Sequence, residues 1–352
     1  MFSALTAAPA EAANYPFCTI DPNKGIVDVP DPRMDAIAEI VQPQRVLPAT
    51  CEFLDIAGLV EGASKGEGLG NKFLAHIRET QVIAHVVRCF EDDDVVHVAG
   101  SVDPVRDIET INVELALADL ETVEKRRARA EKETRSNDKE VVKKSQLLLP
   151  LLENLKSTLS QGQAVRTLDL SDDERELIRD MHLITTKRTL YVCNVDEAGL
   201  EGENPLVAKV EKLADAEGAE VIRICGQLEA EISALETPEE RQEFLAEAGL
   251  EQSGLDRLIH AAYHLMGLQT YFTAGEKEVR AWTIPQGARA PQAAGVIHSD
   301  FERGFIAAET FHYSDLIEYG SKQKVREAGK LRIEGKNYIV RDGDIIEFRF
   351  NV

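Results

Sequence analysis

Two loops of this sequence carry side chains that could bind a nucleoside triphosphate and its magnesium ion. The first, Asp55 to Gly58 (DIAG), follows a short apolar segment. In nucleotide-switch proteins, a D-x-x-G loop at this point holds Mg²⁺ through its aspartate and senses the γ-phosphate through its glycine amide. Five glycines lie from Gly58 to Gly70, and a loop so rich in glycine can reorder around a phosphate. The alternative is an ordinary surface loop, because D-x-x-G alone is a weak signal.

The second loop, Asn194 to Glu197 (NVDE), follows another apolar segment. GTPases place N-K-x-D here, and the aspartate of that motif accepts two hydrogen bonds from the guanine edge. Val195 replaces the lysine and Glu197 replaces the aspartate, so the carboxylate lies about one bond length further out. Adenine offers a donor at N6 where guanine offers an acceptor, so the altered loop argues against strict guanine selection. The alternative is a strand-end turn in which the asparagine caps a helix.

Short apolar segments, each followed by polar or glycine-containing sequence, predict a buried parallel sheet that positions these loops. Helical stretches at 71–80 and 205–216 alternate with them, which is typical of an α/β domain. In such sheets the ligand lies at the carboxyl ends of the strands, where both loops begin. The four strands are predicted at Cys51 to Asp55, Ala84 to Phe90, Leu190 to Val195 and Glu220 to Cys225.

A long helical region interrupts this alternation between residues 107 and 183. Two apolar stripes at three- and four-residue spacing predict an inserted arm of two antiparallel helices. Between the stripes, residues 125–144 hold nine Lys or Arg against four Asp or Glu, so the arm has a basic tip. This tip either contacts RNA phosphates or is a solvated hairpin end. The candidate contact residues are Lys125, Arg126, Arg127 and Arg129.

The last part of the chain differs from the rest in net charge and in its strand-like sequence pattern. Residues 271–352 hold 12 basic and 12 acidic residues, so the net charge of −22 belongs to residues 1–270. Such a charge excludes a protein that coats nucleic acid by bulk attraction. Strand-like runs, with a turn at Asp342 and Gly343, predict a separate β-rich domain. These runs are at 278–284, 305–308, 338–340 and 345–350.

Cysteine usage and hydropathy indicate the compartment. The five cysteines include no C-x-x-C pair, which argues against a disulfide framework and fits a reducing cytosol. No apolar run approaches the ~20 residues of a membrane span, so we expect a cytoplasmic protein with no membrane partner.

Several longer motifs resemble the YchF family, also called Obg-like ATPases, within the translation-factor class of P-loop NTPases. The resemblance runs the whole length of the chain. It implies an ATPase that prefers ATP over GTP, requires Mg²⁺ and binds the ribosome through the large subunit and its RNA, as a monomer. The matching stretches are Asn14 to Ile20 (NYPFCTI), Asp31 to Arg33 (DPR), Asp55 to Asn71 (DIAGLVEGASKGEGLGN), His85 to Phe90 (HVVRCF), Asn194 to Glu197, and Tyr338 to Val352 (YIVRDGDIIEFRFNV).

The resemblance also implies a fold and a set of residue roles. The fold is a doubly wound, mostly parallel P-loop NTPase sheet with an inserted coiled-coil arm and a C-terminal β-grasp (TGS) domain. The domains are 1–106 with 184–270 for the nucleotide, 107–183 for the arm and 271–352 for the TGS-like part. The implied site comprises Thr19 and Asp55 for Mg²⁺, Gly58 for the phosphate, Leu59 and His97 at the catalytic position, and Asn194, Val195 and Glu197 for the base.

One departure from the family pattern concerns the phosphates. Family members begin with a strand and a Walker A loop, but these residues contain no G-x-x-x-x-G-K-S/T, and Met1 to Thr6 match the helix that follows that loop. The loop's amides and lysine cradle the phosphates, so its loss would remove the nucleotide's main anchor. We therefore expect the natural chain to begin upstream of Met1. The alternative is a non-catalytic ribosome or RNA adaptor.

Overall fold

The computed structural model describes residues 1–6, 23–56, 69–92 and 100–351. The chain divides into two compact units. The first contains Met1–Gly25 and Leu54–Leu255, and the second contains Ile26–Phe53 and Asp256–Val352. No helix in the described part combines the length and the apolar composition that crossing a membrane requires. The three-domain division remains a prediction.

The helices and strands of the described residues are numbered in chain order. The helices are α1 (Phe2–Thr6), α2 (Pro32–Val41), α3 (Leu69–Glu79), α4 (Pro104–Glu133), α5 (Lys139–Ser160), α6 (Asp172–Ile178), α7 (Ala198–Glu201), α8 (Pro205–Glu217), α9 (Gly226–Ala234), α10 (Pro238–Glu247), α11 (Gly254–Leu265), α12 (Ala290–Ile297), α13 (Ser299–Arg303), α14 (Tyr313–Tyr319) and α15 (Lys322–Glu327). The strands are β1 (Asn23–Asp28), β2 (Val46–Leu47), β3 (Thr50–Asp55), β4 (Val82–Arg88), β5 (Arg188–Asn194), β6 (Glu220–Ile224), β7 (Leu268–Ala274), β8 (Val279–Pro285), β9 (Phe305–His312), β10 (Arg332–Glu334) and β11 (Asp344–Phe350).

The first unit contains the predicted parallel sheet, with strand order β4-β5-β6. The central strand β5 is apolar and almost wholly buried, as strands of α/β sheets are, whereas Ala84 and Val86 of β4 are exposed. Tyr191, Cys193 and Val195 point into one core with Val207 and Val210 of α8. The prediction that Cys51 to Asp55 belongs to this sheet is wrong: that segment forms β3, which pairs with β1 in a separate two-stranded sheet. The α/β fold class is confirmed.

The predicted antiparallel arm is formed by α4 and α5. Asp138 begins α5 by accepting hydrogen bonds from the backbone amides of Glu140 and Val141, at 2.9 and 3.5 Å. The leucine stripe of α5 forms the inner face of the hairpin, where each member is almost fully buried against α4. Its members are Leu148, Leu152, Leu155 and Leu159. Burial of this stripe is what holds the two helices together.

A buried carboxylate fastens the arm to the sheet. Asp119 of α4 has no exposed surface, and one of its oxygens accepts from the Ile184 amide at 2.9 Å. The other oxygen accepts from the amide and the hydroxyl of Thr185, both at 2.7 Å. These residues form the 3-10 turn Ile184–Thr186, which leads directly into β5. The arm and the strand that ends at Asn194 are therefore linked through one side chain.

A half-buried polar cluster lies beside β4. The guanidinium of Arg166 is 2.6 Å from a carboxylate oxygen of Glu217, which also accepts from the Tyr191 hydroxyl at 2.9 Å. The ring of His85 lies 5.7 Å from the Tyr191 ring, centroid to centroid. Burial, reinforced by the positive charge of Arg166, lowers the pKa of His85 to about 4.

We expect His85 to make the protein less stable in acid, by about 1–2 kcal/mol between about pH 7 and about pH 5. The unfolded chain takes up a proton at His85 near pH ~6.5, whereas the folded chain does so only near its lowered pKa. Protonation in this window therefore stabilises the unfolded state alone, so stability is lost as the pH falls. Urea unfolding of wild type and His85→Gln at both pH values isolates the effect. Parallel pH dependence in the two proteins would contradict it.

The second unit contains a six-stranded mixed sheet in the order β10-β9-β11-β7-β8-β2. One face packs α12 over a core that includes Tyr271, Phe305 and Ile346. The β-rich character of this unit and the turn before β11 agree with the prediction from the sequence. Gly343 adopts the left-handed backbone conformation, with φ of 83°, that the turn requires.

The strand predicted at 338–340 is wrong. Ile339 forms only an isolated bridge with Arg289. The neighbouring backbone groups bond to the chain at the start of α12, since Ala290 donates to the Tyr338 carbonyl and Val340 donates to the Ala288 carbonyl. Single contacts to a loop occupy the groups that a sheet ladder would need. Three strands that were not predicted, β2, β7 and β10, belong to the sheet instead.

Arg33 at the start of α2 explains part of why an N-terminal segment belongs to the second unit. Its guanidinium lies 2.7 Å from Asp31 and 2.5 Å from Asp342, and it sits over the rings of Phe272 and Tyr313. Burial alone would lower the pKa of Arg33, but the hydrogen bonds to the two carboxylates outweigh it and raise the pKa. The arginine of the DPR motif is thus a structural link between distant parts of the sequence.

Candidate functional site

The carboxyl ends of β4, β5 and β6 finish level with one another. Arg88 is paired with Asn194, and Asn194 is paired with Ile224. Two further backbone bonds extend the ladder beyond the strands: the Cys89 amide donates to the Asn194 carbonyl at 2.8 Å, and the Val195 amide donates to the Ile224 carbonyl at 2.9 Å. The three following loops therefore start from one rigid edge, which is where α/β sheets bind ligands.

Asn194 is the first polar side chain at this edge. Its amide oxygen accepts a hydrogen bond from the Gly226 backbone amide at 3.0 Å, at the start of α9. Only the oxygen of the side chain can accept, so this bond fixes the orientation of the amide. The amino group makes no hydrogen bond to the described part of the chain. It is therefore an oriented donor that no residue of the described ranges occupies.

Gly226 was missed by the sequence analysis. A Cβ atom there would lie 3.2 Å from the amide oxygen of Asn194, which is tighter than most such contacts. The close approach of the two loops therefore favours glycine. The signal was present in the sequence, since Gly226 directly follows the predicted strand that ends at Cys225.

The other residues of the NVDE loop have distinct placements. Val195 is 2% exposed and packs in the core beneath the sheet, so its side chain positions the loop from inside. The Asp196 carboxylate accepts from the Gly199 amide at 2.9 Å and so begins α7. Glu197 is exposed and makes no hydrogen bond or ion pair within the described residues. Its carboxylate is available to a ligand.

Asn204 links the end of β4 to the start of α8 through its side-chain amide. Its amino group donates to the Cys89 carbonyl at 3.0 Å, and its oxygen accepts from the amides of Leu206 and Val207 at the start of α8. This asparagine uses both ends of its amide within the fold, in contrast to Asn194. It is a positioning residue that sequence reasoning did not single out.

Asp55 ends β3 and is half-buried. Its carboxylate has no hydrogen-bond partner among the described residues. Mg²⁺ prefers oxygen ligands, and one or two carboxylates together with phosphate oxygens are its usual protein set, so Asp55 fits that ion. No cluster of three or more His, Cys, Asp or Glu residues that could hold a metal occurs in the described ranges. Thr19, Gly58, Leu59 and His97 lie outside the described residues.

The helix that follows the glycine-rich loop is anchored at its far end. The Lys187 ammonium donates to the carbonyls of Arg78 and Thr80 at the C-terminus of α3. A cation at this end also complements the helix dipole. Burial lowers the pKa of Lys187, partly offset by the charge of Asp119.

The four basic residues predicted to contact RNA are all paired within the arm. Each pairs with a carboxylate on α4 itself, three or more residues away. The pairs are Lys125 with Glu121 at 2.5 Å, Arg126 with Glu133 at 3.1 Å, Arg127 with Glu131 at 3.0 Å and Arg129 with Glu133 at 2.7 Å. Arg127 also reaches Glu153 of α5 at 3.5 Å. These cations therefore contribute to the hairpin's own charge balance.

Comparison with known proteins places this arrangement in a family. A model described as a 50S ribosome-binding GTPase matches residues 1–117, and YchF-GTPase_C, described as a protein of unknown function, matches residues 268–351. The chain is 55% identical over 352 residues to the ribosome-binding ATPase YchF of Pasteurella multocida, and 54% identical over 354 residues to that of Bacillus subtilis. Both alignments cover 100% of this chain and 95% of the relative.

The same relationship is evident in three dimensions. The YchF GTPase of Schizosaccharomyces pombe superimposes with a TM-score of 0.85 at 38% sequence identity, covering 99% of this chain and 93% of the other. Sequence and structure thus agree along nearly the whole length, and the chain belongs to the YchF family.

Proposed function

We propose that this protein is a ribosome-associated, Mg²⁺-dependent nucleoside-triphosphate hydrolase that prefers ATP over GTP. The observation that carries the proposal is the edge of the parallel sheet, where the oriented amide of Asn194 stands close in sequence to the free carboxylate of Glu197. The names of the curated relatives, ribosome-binding ATPases, support the ribosome and ATP.

Base recognition follows from the donors and acceptors at that edge. The free amino group of Asn194 can donate to purine N7, an acceptor that adenine and guanine share. The Glu197 carboxylate can accept from the amino group at adenine N6, whereas guanine presents an acceptor there. We therefore assign affinity for any purine to Asn194 and the preference for ATP to Glu197. Val195 holds the loop in place from the core.

The phosphate end of the nucleotide is assigned to the loops after β3 and β4. Bound Mg²⁺ would supply positive charge that offsets the negative charge of the phosphates. We propose Asp55 and Thr19 as its protein ligands and the Gly58 amide as the donor to the γ-phosphate. The apolar Leu59 cannot orient a water by hydrogen bonding, so we assign that role to His97.

The proposal includes a domain assignment and a partner. We assign the nucleotide to residues 1–106 and 184–270, the arm to 107–183 and a TGS-like domain to 271–352. The partner is the large ribosomal subunit with its RNA, bound by a monomer in the cytoplasm. A non-catalytic adaptor is the competing function, since these residues contain no Walker A sequence.

Co-sedimentation with ribosomes distinguishes the two functions. The full-length protein is incubated with purified ribosomes without nucleotide, with Mg-ATP or with Mg-ADP, and ATP turnover is measured in parallel. The hydrolase account predicts ATP turnover and a bound fraction that depends on the nucleotide. Binding that is equal under all three conditions, together with no turnover, would establish the adaptor.

The substitution Glu197→Asp should narrow the preference for ATP over GTP by about threefold to tenfold, which corresponds to about one altered hydrogen bond. The shorter side chain returns the carboxylate to the position it has in guanine-specific loops. Competition between labelled ATP and unlabelled GTP measures the ratio. Glu203→Asp, an equally exposed glutamate of the same loop region, is the matched control and should leave the ratio unchanged. An unchanged ratio in Glu197→Asp would remove this residue from base selection.

A further inference from the structure

The basic tip of the arm contains two kinds of cation. The first kind is paired with nearby carboxylates, as described above for Lys125, Arg126, Arg127 and Arg129. The second kind is exposed, and none of its side chains forms an ion pair or hydrogen bond with any described residue. Its members are Lys132, Arg135, Lys139, Lys143 and Lys144.

The unpaired cations surround the end of the hairpin. Lys132 belongs to the last turn of α4, Arg135 to the connecting turn, and the three others to the first two turns of α5. Few carboxylates lie near them in the sequence, and most of these already bind other groups. Glu133 is held by Arg126 and Arg129, and Asp138 caps α5. Glu140 is the remaining acidic side chain of this stretch.

Two of these lysines are badly placed for the stability of their own helix. Lys139 is the first residue of α5 and lies in its first turn, where the helix dipole disfavours positive charge. Lys139 and Lys143 are four residues apart, so the two like charges repel each other on one face. The positions of Lys139 and Lys143 are thus unfavourable for the hairpin. An external anion would account for them.

We propose that these five unpaired cations are the arm's contact with ribosomal RNA, while the four paired cations stabilise the hairpin. The inference rests on the proposed ribosome association and names the chemistry of that contact. The exposed side chains of the cluster are charged or small and polar, with no aromatic ring for a base to stack on. The contact is therefore to RNA phosphates, independent of sequence and sensitive to salt.

The test compares two triple substitutions that remove the same charge from the full-length protein. Lys139→Gln, Lys143→Gln and Lys144→Gln remove unpaired cations. Glutamine is a good helix former, so the helix propensity is kept. We expect ribosome affinity to fall about tenfold and the slope of log K against log salt to fall by about 2–3. The melting temperature should stay the same or rise, because the substitutions remove the charge of Lys139 from the first turn and its repulsion with Lys143.

The matched control is Arg126→Gln, Arg127→Gln and Arg129→Gln, which removes paired cations. We expect a lower melting temperature and ribosome affinity within about threefold of wild type, because the contacts to RNA remain. An equal loss of affinity in both triple variants would overturn the assignment, because bulk charge would then explain the binding.

Two further results separate this inference from the proposed function. If wild-type protein does not sediment with ribosomes, the ribosome association itself fails. If wild type binds and the lysine variant binds equally, only the tip assignment is overturned. Protein-free ribosomal RNA is the second probe. If the lysine variant loses affinity for ribosomes but binds this RNA as well as wild type does, the phosphate contact is contradicted. That result would indicate that the arm tip binds an acidic ribosomal protein.

Discussion

Replacing Asp119 by alanine should lower the free energy of unfolding of the first unit by about 3–5 kcal/mol. The carboxylate is fully buried and accepts from two backbone amides and one hydroxyl, at 2.7 to 2.9 Å. Alanine would leave three buried donors without an acceptor, and each such donor costs about 1–3 kcal/mol. Denaturant unfolding followed by circular dichroism measures the loss.

The control for Asp119 is the same substitution at Asp138. That aspartate also accepts from backbone amides but lies at the exposed start of α5. Its removal should cost about 1 kcal/mol, as for other helix caps. If the two substitutions cost the same, water reaches the donors around Asp119, and the buried link between arm and sheet is not what stabilises this unit.

The substitution Asn194→Asp should weaken binding of both ATP and GTP by about 10–100-fold, or about 1.4–2.8 kcal/mol. Aspartate has the same shape and can still accept from the Gly226 amide, so the loops after β5 and β6 remain joined. It loses the amino group and places an acceptor against purine N7. The melting temperature should therefore change little while affinity falls. Isothermal titration with each Mg-nucleotide gives both affinities.

The control for Asn194 is Asn154→Asp, an exposed position on α5. It introduces the same charge away from the sheet edge and should leave nucleotide affinity unchanged. The ratio of ATP to GTP affinity should stay constant in Asn194→Asp, because N7 is common to both bases. A large change in this ratio would mean that Asn194, and not Glu197, distinguishes ATP from GTP.

Residues at strand ends were predictable because an apolar run that stops at a polar residue marks the edge of a parallel sheet. Asn194 and Glu197 were identified in this way, and the structure places Asn194 at that edge and Glu197 exposed beside it. Val195 shows the limit of motif comparison. Its position in the loop suggested a base contact, yet it continues the two-residue alternation of Tyr191 and Cys193 and belongs to their core.

The arm tip illustrates what a count of charges omits. Glutamates four residues from Lys125, Arg127 and Arg129 were readable as helix pairs. The contact between Arg127 and Glu153 crosses the hairpin and depends on helix register. The structure is therefore needed to tell which cations of the arm form ion pairs and which form none with the described residues.

Long-range links were not predictable from local pattern at all. The contact between Arg33 and Asp342 joins positions 309 residues apart and helps to bring Ile26–Phe53 into the second unit. The segment 338–340 has strand-forming residues, but its backbone partners lie in a loop. In both cases tertiary partners outweighed local propensity.

The most direct test of the account is the equilibrium binding of Mg-ATP and Mg-GTP to the full-length protein. The sheet edge, with its oriented Asn194 amide and free Glu197 carboxylate, predicts saturable binding of both nucleotides with ATP the tighter. Equal affinities, or tighter binding of GTP, would contradict the assignment of this edge as an adenine-preferring nucleotide site.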